Sequence, residues 1–168
     1  MKKLPFLLLL FLLLSFPAFS LERETHIVKR ITDGDTLVLD DDRKVRLIGV
    51  DTPEMHDKER NAFDAKRTGR DVNIVNQYAR KAKNFVTDAV EGEKVSLEFD
   101  EANAYLAHKD KYGRLLAYVY REKDGLFINQ EIIKEGYGFS YGRFPYKHLK
   151  AFRELEKEAK GKKKGMWS

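Results

Sequence analysis

Residues 44–54, with the sequence KVRLIGVDTPE, predict the fold more directly than any other stretch of the chain. Val, Leu and Ile dominate residues 44–50 and favour a strand, which Pro53 ends because proline has no N–H for a sheet ladder. Arg46 interrupts the apolar run, and Asp51 and Glu54 follow where the strand ends. The stretch therefore predicts a strand that brings charged side chains to one place.

Two earlier strands are expected at residues 26–31 and 36–40. An Asp-Gly pair at residues 33–34 marks the turn that joins them, and three consecutive aspartates form the turn into the third strand. The pattern predicts a three-stranded meander. If its first and third strands are neighbours, Asp35 and Asp51 converge.

The middle of the chain contains a clear helical pattern and a charged segment without one. Residues 74–90 place apolar side chains three or four positions apart, and Gly92 ends the pattern. Residues 55–70 are strongly charged with no clear period, and within them residues 66–70 predict a mobile basic loop.

The second half of the chain predicts two strands followed by two short helices. The strands lie at residues 94–99 and 115–120, and the helices at residues 127–135 and 145–160. Five short strands with a helix after the third match the layout of the OB-fold, a Greek-key β-barrel. We therefore expect an α+β fold in which a five-stranded OB-fold barrel carries about three packed α-helices.

Length and composition predict one domain behind an export signal. The chain has 168 residues and no cysteine, which excludes disulfide scaffolds and metal sites built on thiolates. Residues 1–20 begin with two lysines, continue with Leu and Phe, and close with an A-x-S pattern, as secretory signal peptides do. We expect cleavage after Ser20, a mature domain at residues 21–168 and a secreted or periplasmic location. An uncleaved membrane anchor is the alternative.

Carboxylates near the ends of two strands suggest a cation site. Asp33 and Asp35 flank a glycine, while Asp51 and Glu54 follow an apolar strand. Converging carboxylates repel one another unless a cation lies between them, and Ca²⁺ prefers oxygen ligands. Zinc is a poorer choice for a chain with no cysteine and only four histidines.

Two arginines add a second element to this chemistry. Arg46 interrupts its strand, and Arg114 follows a glycine in a turn. A guanidinium binds phosphate through two parallel hydrogen bonds, and a cation with two arginines stabilises a phosphoryl oxygen that gains charge. Glu54 can accept a proton from water. Together these residues suggest phosphodiester hydrolysis, although each alone also has a plain structural role in a turn or at a strand edge.

Three segments, taken in order, resemble the staphylococcal nuclease (thermonuclease) family. They are ITDGDT at residues 31–36, VRLIGVDTPE at residues 45–54 and DKYGRLLAYVY at residues 110–120. The resemblance extends from about Thr25 to Ser168. It implies an OB-fold enzyme with three helices that requires Ca²⁺, cuts both DNA and RNA and leaves 3′-phosphate ends.

The resemblance also implies roles for residues near the metal. Asp35 and Asp51 match metal-ligating aspartates, and Thr52 matches a residue that offers its backbone carbonyl to the metal. Asp33 matches a carboxylate just outside the ligands.

Further roles concern the substrate. Arg46 and Arg114 match the two arginines that bind the scissile phosphate, and Glu54 matches the glutamate proposed as general base. Tyr112 matches a tyrosine near the bound nucleotide, although packing within its turn is the alternative. Tyr137 and Tyr141 are two candidates for contact with a base, and the sequence does not choose between them.

The sequence thus predicts a nuclease with nucleic acid as its partner. We expect a monomer with no stable protein partner, and contact with a membrane only if the signal segment is retained. A non-catalytic OB-fold module that binds nucleic acid is the alternative. Such a module tends to lose the charged set, which this chain keeps in full at Asp35, Arg46, Asp51, Glu54 and Arg114.

Overall fold

The computed structural model describes residues 23–168, so the expected signal peptide lies outside the described residues. This part of the chain contains seven strands, numbered in chain order: β1 (Glu24–Asp33), β2 (Thr36–Leu39), β3 (Lys44–Leu47), β4 (Val50–Asp51), β5 (Lys94–Glu98), β6 (Leu115–Arg121) and β7 (Phe139–Ser140). Five of them close into a barrel in the order β1-β2-β3-β6-β5. Neighbouring barrel strands are antiparallel except β3 and β6, which run parallel.

Among the described residues, four α-helices accompany this barrel. They are α1 (Lys58–Thr68), α2 (Val72–Val90), α3 (Ile128–Lys134) and α4 (Leu149–Gly161). Short 3₁₀ turns occupy Glu101–Leu106 and Gly165–Trp167. The α+β class and the closed five-stranded OB-like barrel are therefore confirmed, with one helix more than expected. Within residues 23–168, no helix combines the length and the apolar character needed to cross a bilayer.

Helix α1 lies in the charged segment at residues 55–70, in which the sequence showed no clear period and predicted a mobile loop at residues 66–70. The Asp57 side chain accepts a hydrogen bond from the Arg60 N–H at 2.9 Å and begins the helix, and Gly69 ends it at φ 69°. Its buried residues are Asn61 and Asp64, which are both polar. A helix that buries polar groups has no apolar stripe, so the hydrophobic pattern could not reveal it.

The strand expected at residues 44–50 is divided in two. β3 ends at Leu47, and β4 pairs instead with β7 outside the barrel. Gly49 lies between them at φ +79°, and a Cβ there would lie 2.6 Å from the Tyr146 ring. This break turns the chain away from the barrel just before Asp51, so the site carboxylate lies outside the main sheet.

A buried asparagine on α3 stabilises the break. Asn129 accepts a hydrogen bond from the Val119 N–H at 2.9 Å and donates to the carbonyls of Ile48 and Ala117 at 2.9 and 3.2 Å. These bonds satisfy backbone groups that the interrupted strand leaves without sheet partners. Helix α3 therefore holds the break in place through Asn129.

The meander differs from the expected arrangement in one respect. β2 lies between β1 and β3, so the first and third strands are not neighbours. Asp35 and Asp51 still approach each other, because Asp35 lies in the turn that enters β2, and β2 pairs with β3. Asp35 and Asp51 therefore converge as expected, but not because the first and third strands are neighbours.

Candidate active site

Asp35 is fixed by hydrogen bonds from two neighbouring segments. Its side chain is buried, with Oδ1 accepting from the Thr36 hydroxyl at 3.0 Å and Oδ2 from the Thr52 N–H at 3.0 Å. The Asp35 backbone carbonyl accepts from the Leu47 N–H at 2.9 Å. The carboxylate therefore has one defined position at the end of the barrel.

Arg46 joins the two carboxylates that the sequence singled out. Its Nη1 donates to the carbonyls of Leu47 and Val50 at 2.9 and 2.5 Å. Its Nη2 lies 3.0 Å from Oδ2 of Asp35 and 3.3 Å from Oδ1 of Asp51. The guanidinium is buried and held by four oxygens, which excludes a side chain that simply extends into solvent.

Asp51 also contacts a residue that sequence reasoning missed. Arg60 of α1 pairs through Nη2 with Oδ2 of Asp51, while Arg46 pairs with the other oxygen. Arg60 Nε lies 3.5 Å from Oδ2 of the fully buried Asp64. Both oxygens of Asp51 therefore face a guanidinium.

Glu54 is positioned through its backbone by α1. The Asn61 side chain accepts from the Glu54 N–H at 2.9 Å and donates to the Glu54 carbonyl at 2.6 Å. Asn61 donates further to Oδ1 of Asn76 on α2 at 2.7 Å. The two helices thus fix the main chain of Glu54 and leave its carboxylate half-buried at the pocket.

Arg114 is oriented by an aspartate in its own turn. Its Nε and Nη2 both lie 2.7 Å from Oδ2 of Asp110, and its Nη1 donates to the Thr36 hydroxyl at 3.3 Å. Burial opposes ionisation of Asp110, but hydrogen bonds from Arg114 and the backbone outweigh it and lower the Asp110 pKa. The Tyr112 ring lies 5.4 Å from the Arg114 guanidinium and is 71% exposed. An ionised Asp110 therefore aims Arg114, and a Tyr112 ring that is mostly in solvent is free to stack.

These residues surround one open pocket of about 670 Å³. It is lined by cationic, acidic and aromatic side chains. They are Arg46, Asp51, Glu54, Asp57, Arg60, Leu106, Lys109, Asp110, Lys111, Tyr112, Arg114, Tyr141, Arg143 and Phe144. Asp33, Asp35 and Thr52 do not line the pocket, and the Arg46 guanidinium connects Asp35 with Asp51 at its edge. The volume suits a nucleotide-sized ligand.

Negative charge accumulates at the base of the site. Burial raises the pKa of Asp33 to about 7, helped by the neighbouring charges of Asp35 and Glu54. Burial and the Asp35 charge also raise the pKa of Glu54. The carboxylates therefore repel one another in spite of Arg46.

The donor set fits a hard divalent cation. Asp35 and Asp51 would offer carboxylate oxygens and Thr52 a backbone carbonyl, and the repulsion described above would fall when a cation binds. Among residues 23–168, one set of three acidic or imidazole groups lies within 4.8 Å of one another, at His26, Asp40 and Asp41. That set lies elsewhere, where Arg43 already pairs with it.

The sequence predicted a mobile basic loop at residues 66–70, but residues 66–68 belong to α1. Lys66, Arg67 and Arg70 do not line the pocket, whereas Arg60 does. Arg67 lies over the Phe139 ring at 3.7 Å instead. The helix determines which of these cations faces the pocket. Because the sequence pattern did not reveal this helix, it could not predict that Arg60 is the one.

The structure separates the two candidate tyrosines. Tyr141 lines the pocket, and its ring centre lies 5.9 Å from the Arg46 guanidinium. Tyr137 packs on Phe85 with ring centres 4.9 Å apart. Tyr141 is therefore the one placed to meet a ligand.

Gly34 is required by close packing. Its φ is not positive, but a Cβ there would lie 2.7 Å from the Ala82 Cβ and 2.8 Å from the Thr52 hydroxyl. The sequence suggested a tight turn as the reason for this glycine, whereas the structure shows that the turn must approach α2 and Thr52 closely.

Gly34→Ala is expected to lower activity at least tenfold and the free energy of unfolding by about 1–3 kcal/mol, because an added methyl group must displace Ala82 or Thr52, and the Thr52 N–H holds the Asp35 carboxylate. Cleavage rates and thermal melts measure the two effects. Gly92→Ala is the control: Gly92 has φ +77° and open space around it, so this variant loses about 1 kcal/mol and keeps its activity. Equal activity of both variants would contradict this reason for Gly34.

Comparison with known proteins agrees with this geometry. Residues 44–168 match the family model described as staphylococcal nuclease homologue. The chain belongs to the staphylococcal nuclease family. The match begins at Lys44, so it includes Arg46, Asp51, Glu54 and Arg114. Asp35 precedes the matched residues, and its ion pair with Arg46 shows that it lies beside them.

Individual relatives cover most of the chain. The thermonuclease of Staphylococcus hyicus is 34% identical over 149 residues, which is 86% of this chain and 76% of that protein. The thermonuclease of Staphylococcus intermedius is 36% identical with the same coverage. Endonuclease YncB of Bacillus subtilis is 36% identical over 83% of this chain and 59% of its own length. The family predicted from the three motifs is thereby confirmed.

Proposed function

We propose that this nuclease is a secreted, Ca²⁺-dependent enzyme that hydrolyses phosphodiester bonds in both DNA and RNA and leaves 3′-phosphate ends. The observation that carries the proposal is that Arg46, Asp51, Glu54 and Arg114 line one pocket, with Asp35 paired to Arg46 at its edge. The aspartates can hold a cation, the arginines can bind a phosphate and the glutamate can act as a base. Hydrolysis of a phosphodiester can use all three roles.

Asp35, Asp51 and the carbonyl of Thr52 would hold Ca²⁺. When bound, the cation supplies positive charge that stabilises the extra negative charge of the phosphate in the transition state.

The two arginines bind the same phosphate. Arg46 is held in place by the carbonyls of Leu47 and Val50, and Arg114 is held by Asp110. Because both guanidiniums are fixed before substrate arrives, little reorganisation is needed as charge develops on the phosphate oxygens.

Glu54 acts on the attacking water. Its carboxylate faces the pocket, and burial raises its pKa, which increases its strength as a base. The water proton passes to Glu54, the water oxygen bonds to phosphorus, and the bond from phosphorus to the 5′-oxygen breaks. That oxygen then takes a proton from solvent, and the phosphate stays on the 3′ side.

Use of both DNA and RNA follows from what the pocket recognises. Its cations, among them Lys109, Lys111 and Arg143, suit phosphate groups, which the two nucleic acids share. The exposed Tyr112 ring and the Tyr141 ring offer flat surfaces on which any base can stack.

Export and a monomeric state complete the proposal. The composition of residues 1–20 supports export and cleavage after Ser20. All the residues to which the chemistry above assigns a role belong to this one chain, so that chemistry needs no second subunit.

Digestion of supercoiled plasmid and of RNA by purified residues 21–168 tests the substrate class. With Ca²⁺ present, both should be degraded, and the fragments should resist ligation until a phosphatase removes their 3′-phosphates. Binding of either substrate without cleavage would favour the alternative of a non-catalytic OB-fold module. Fragments with free 3′-hydroxyls would contradict the bond assignment.

A further inference from the structure

Arg60 and its neighbours form a line of alternating charge. Asp64, Arg60, Asp51, Arg46 and Asp35 follow one another, each within ion-pair distance of the next. Asp51, in the middle, has one guanidinium on each oxygen. A cation that binds Asp51 therefore competes with these guanidiniums for the same two oxygens.

The two guanidiniums differ in how firmly they are held. Arg46 is 9% exposed at its side chain and donates to two backbone carbonyls besides its carboxylate contacts. Arg60 is 28% exposed, and its Nε is buried without a hydrogen-bond partner among the described residues. Arg60 is thus the guanidinium that can leave Asp51 at lower cost.

The pocket offers the Arg60 side chain a second set of partners beside Asp51. Arg60 lines the same pocket as Arg114, Lys109 and Lys111, where a phosphate chain would supply new acceptors. Asp64, which is fully buried and 3.5 Å from Arg60 Nε, keeps the base of the guanidinium near the pocket.

We propose that Arg60 couples cation binding to substrate binding: it pairs with Asp51 when the cation is absent and binds a substrate phosphate when the cation takes Asp51. The inference rests on the proposed function, since it assumes that Asp51 is a Ca²⁺ ligand. It adds a phosphate-binding residue that helix α1 contributes. Cation and substrate then favour each other's binding, and this coupling is reciprocal.

Calorimetry on residues 21–168 tests the competition without any cleavage. Arg60→Gln should bind Ca²⁺ about tenfold more tightly than the wild type, because a competing ion pair has been removed. Lys66→Gln is the control, since it removes one positive charge from the exposed face of the same helix and leaves Asp51 untouched. Thermal melts in chelator establish that both variants fold.

A phosphorothioate-linked thymidine tetranucleotide, which resists cleavage, tests whether Arg60 binds a substrate phosphate when Ca²⁺ is bound. In the wild type, saturating Ca²⁺ should tighten its binding by at least tenfold, and in Arg60→Gln this enhancement should shrink several-fold. Arg60→Lys should recover part of it.

The outcomes separate the inference from the function on which it rests. If the wild type binds Ca²⁺ and Arg60→Gln binds it no more tightly than Lys66→Gln, the coupling is overturned and the proposed function stands. If the wild type binds no Ca²⁺, the metal assignment itself fails.

Discussion

Arg114→Ala is expected to lower kcat for phosphodiester cleavage by roughly 10²–10³-fold, the loss typical of removing one preorganised donor from a transition state. Arg114 reaches the pocket from a turn in which Asp110 fixes two of its nitrogens. Asp110 keeps hydrogen bonds from the N–H groups of Tyr112 and residue 114 in the variant. The free energy of unfolding should therefore fall by only about 1–2 kcal/mol.

Two further variants make this result specific. Arg114→Lys keeps the charge but not the planar fork, so it should restore substrate binding more than kcat. Arg143→Ala removes another cation that lines the same pocket, and it should raise KM several-fold with little change in kcat. A kcat of Arg114→Ala within tenfold of the wild type would exclude Arg114 from the reaction.

Asp35→Asn is expected to reduce both Ca²⁺ affinity and Ca²⁺-dependent cleavage by at least about 100-fold, because the variant replaces a charged ligand by a neutral one. Its effect on folding should be small, within about 1 kcal/mol in chelator. The amide oxygen can replace Oδ2 and accept from the Thr52 N–H, while the amide NH₂ replaces Oδ1 and donates to the Thr36 hydroxyl. The repulsion that helps to raise the Asp33 pKa is also relieved.

Calorimetry and thermal melts separate these two effects. Asp42→Asn serves as the control, since Asp42 is an exposed turn residue at φ 66°, a conformation that asparagine tolerates. That variant should bind Ca²⁺ and cleave as the wild type does. An Asp35→Asn protein that binds Ca²⁺ normally would show that the cation ligands lie elsewhere.

The barrel and the charged set could be predicted from the sequence because their signals are local. The stretch at residues 44–54 carries Arg46, Asp51 and Glu54 within a few positions, and strands with turn residues between them reveal the barrel. Turn patterns singled out Asp35 and Arg114 as candidates for the same chemistry, and the family motifs then supported that assignment.

The remaining features depend on contacts between distant segments. Helix α1 buries Asn61 and Asp64, so its pattern resembled that of a loop, and the contact of Arg60 with Asp51 was hidden with it. The requirement for Gly34 arises from Ala82 of another helix. Such contacts appear only when the chain is folded, because neither partner has a sequence signal of its own.

The rate of oligonucleotide cleavage as a function of Ca²⁺ concentration tests the central claim most directly, when it is compared with a Ca²⁺-binding isotherm of the same protein, residues 21–168. We predict no cleavage in excess chelator and a rate that rises with the same midpoint as Ca²⁺ binding measured in the presence of the uncleavable thymidine tetranucleotide. Cleavage at the full rate in chelator would contradict the proposal that Asp35 and Asp51 act by holding Ca²⁺.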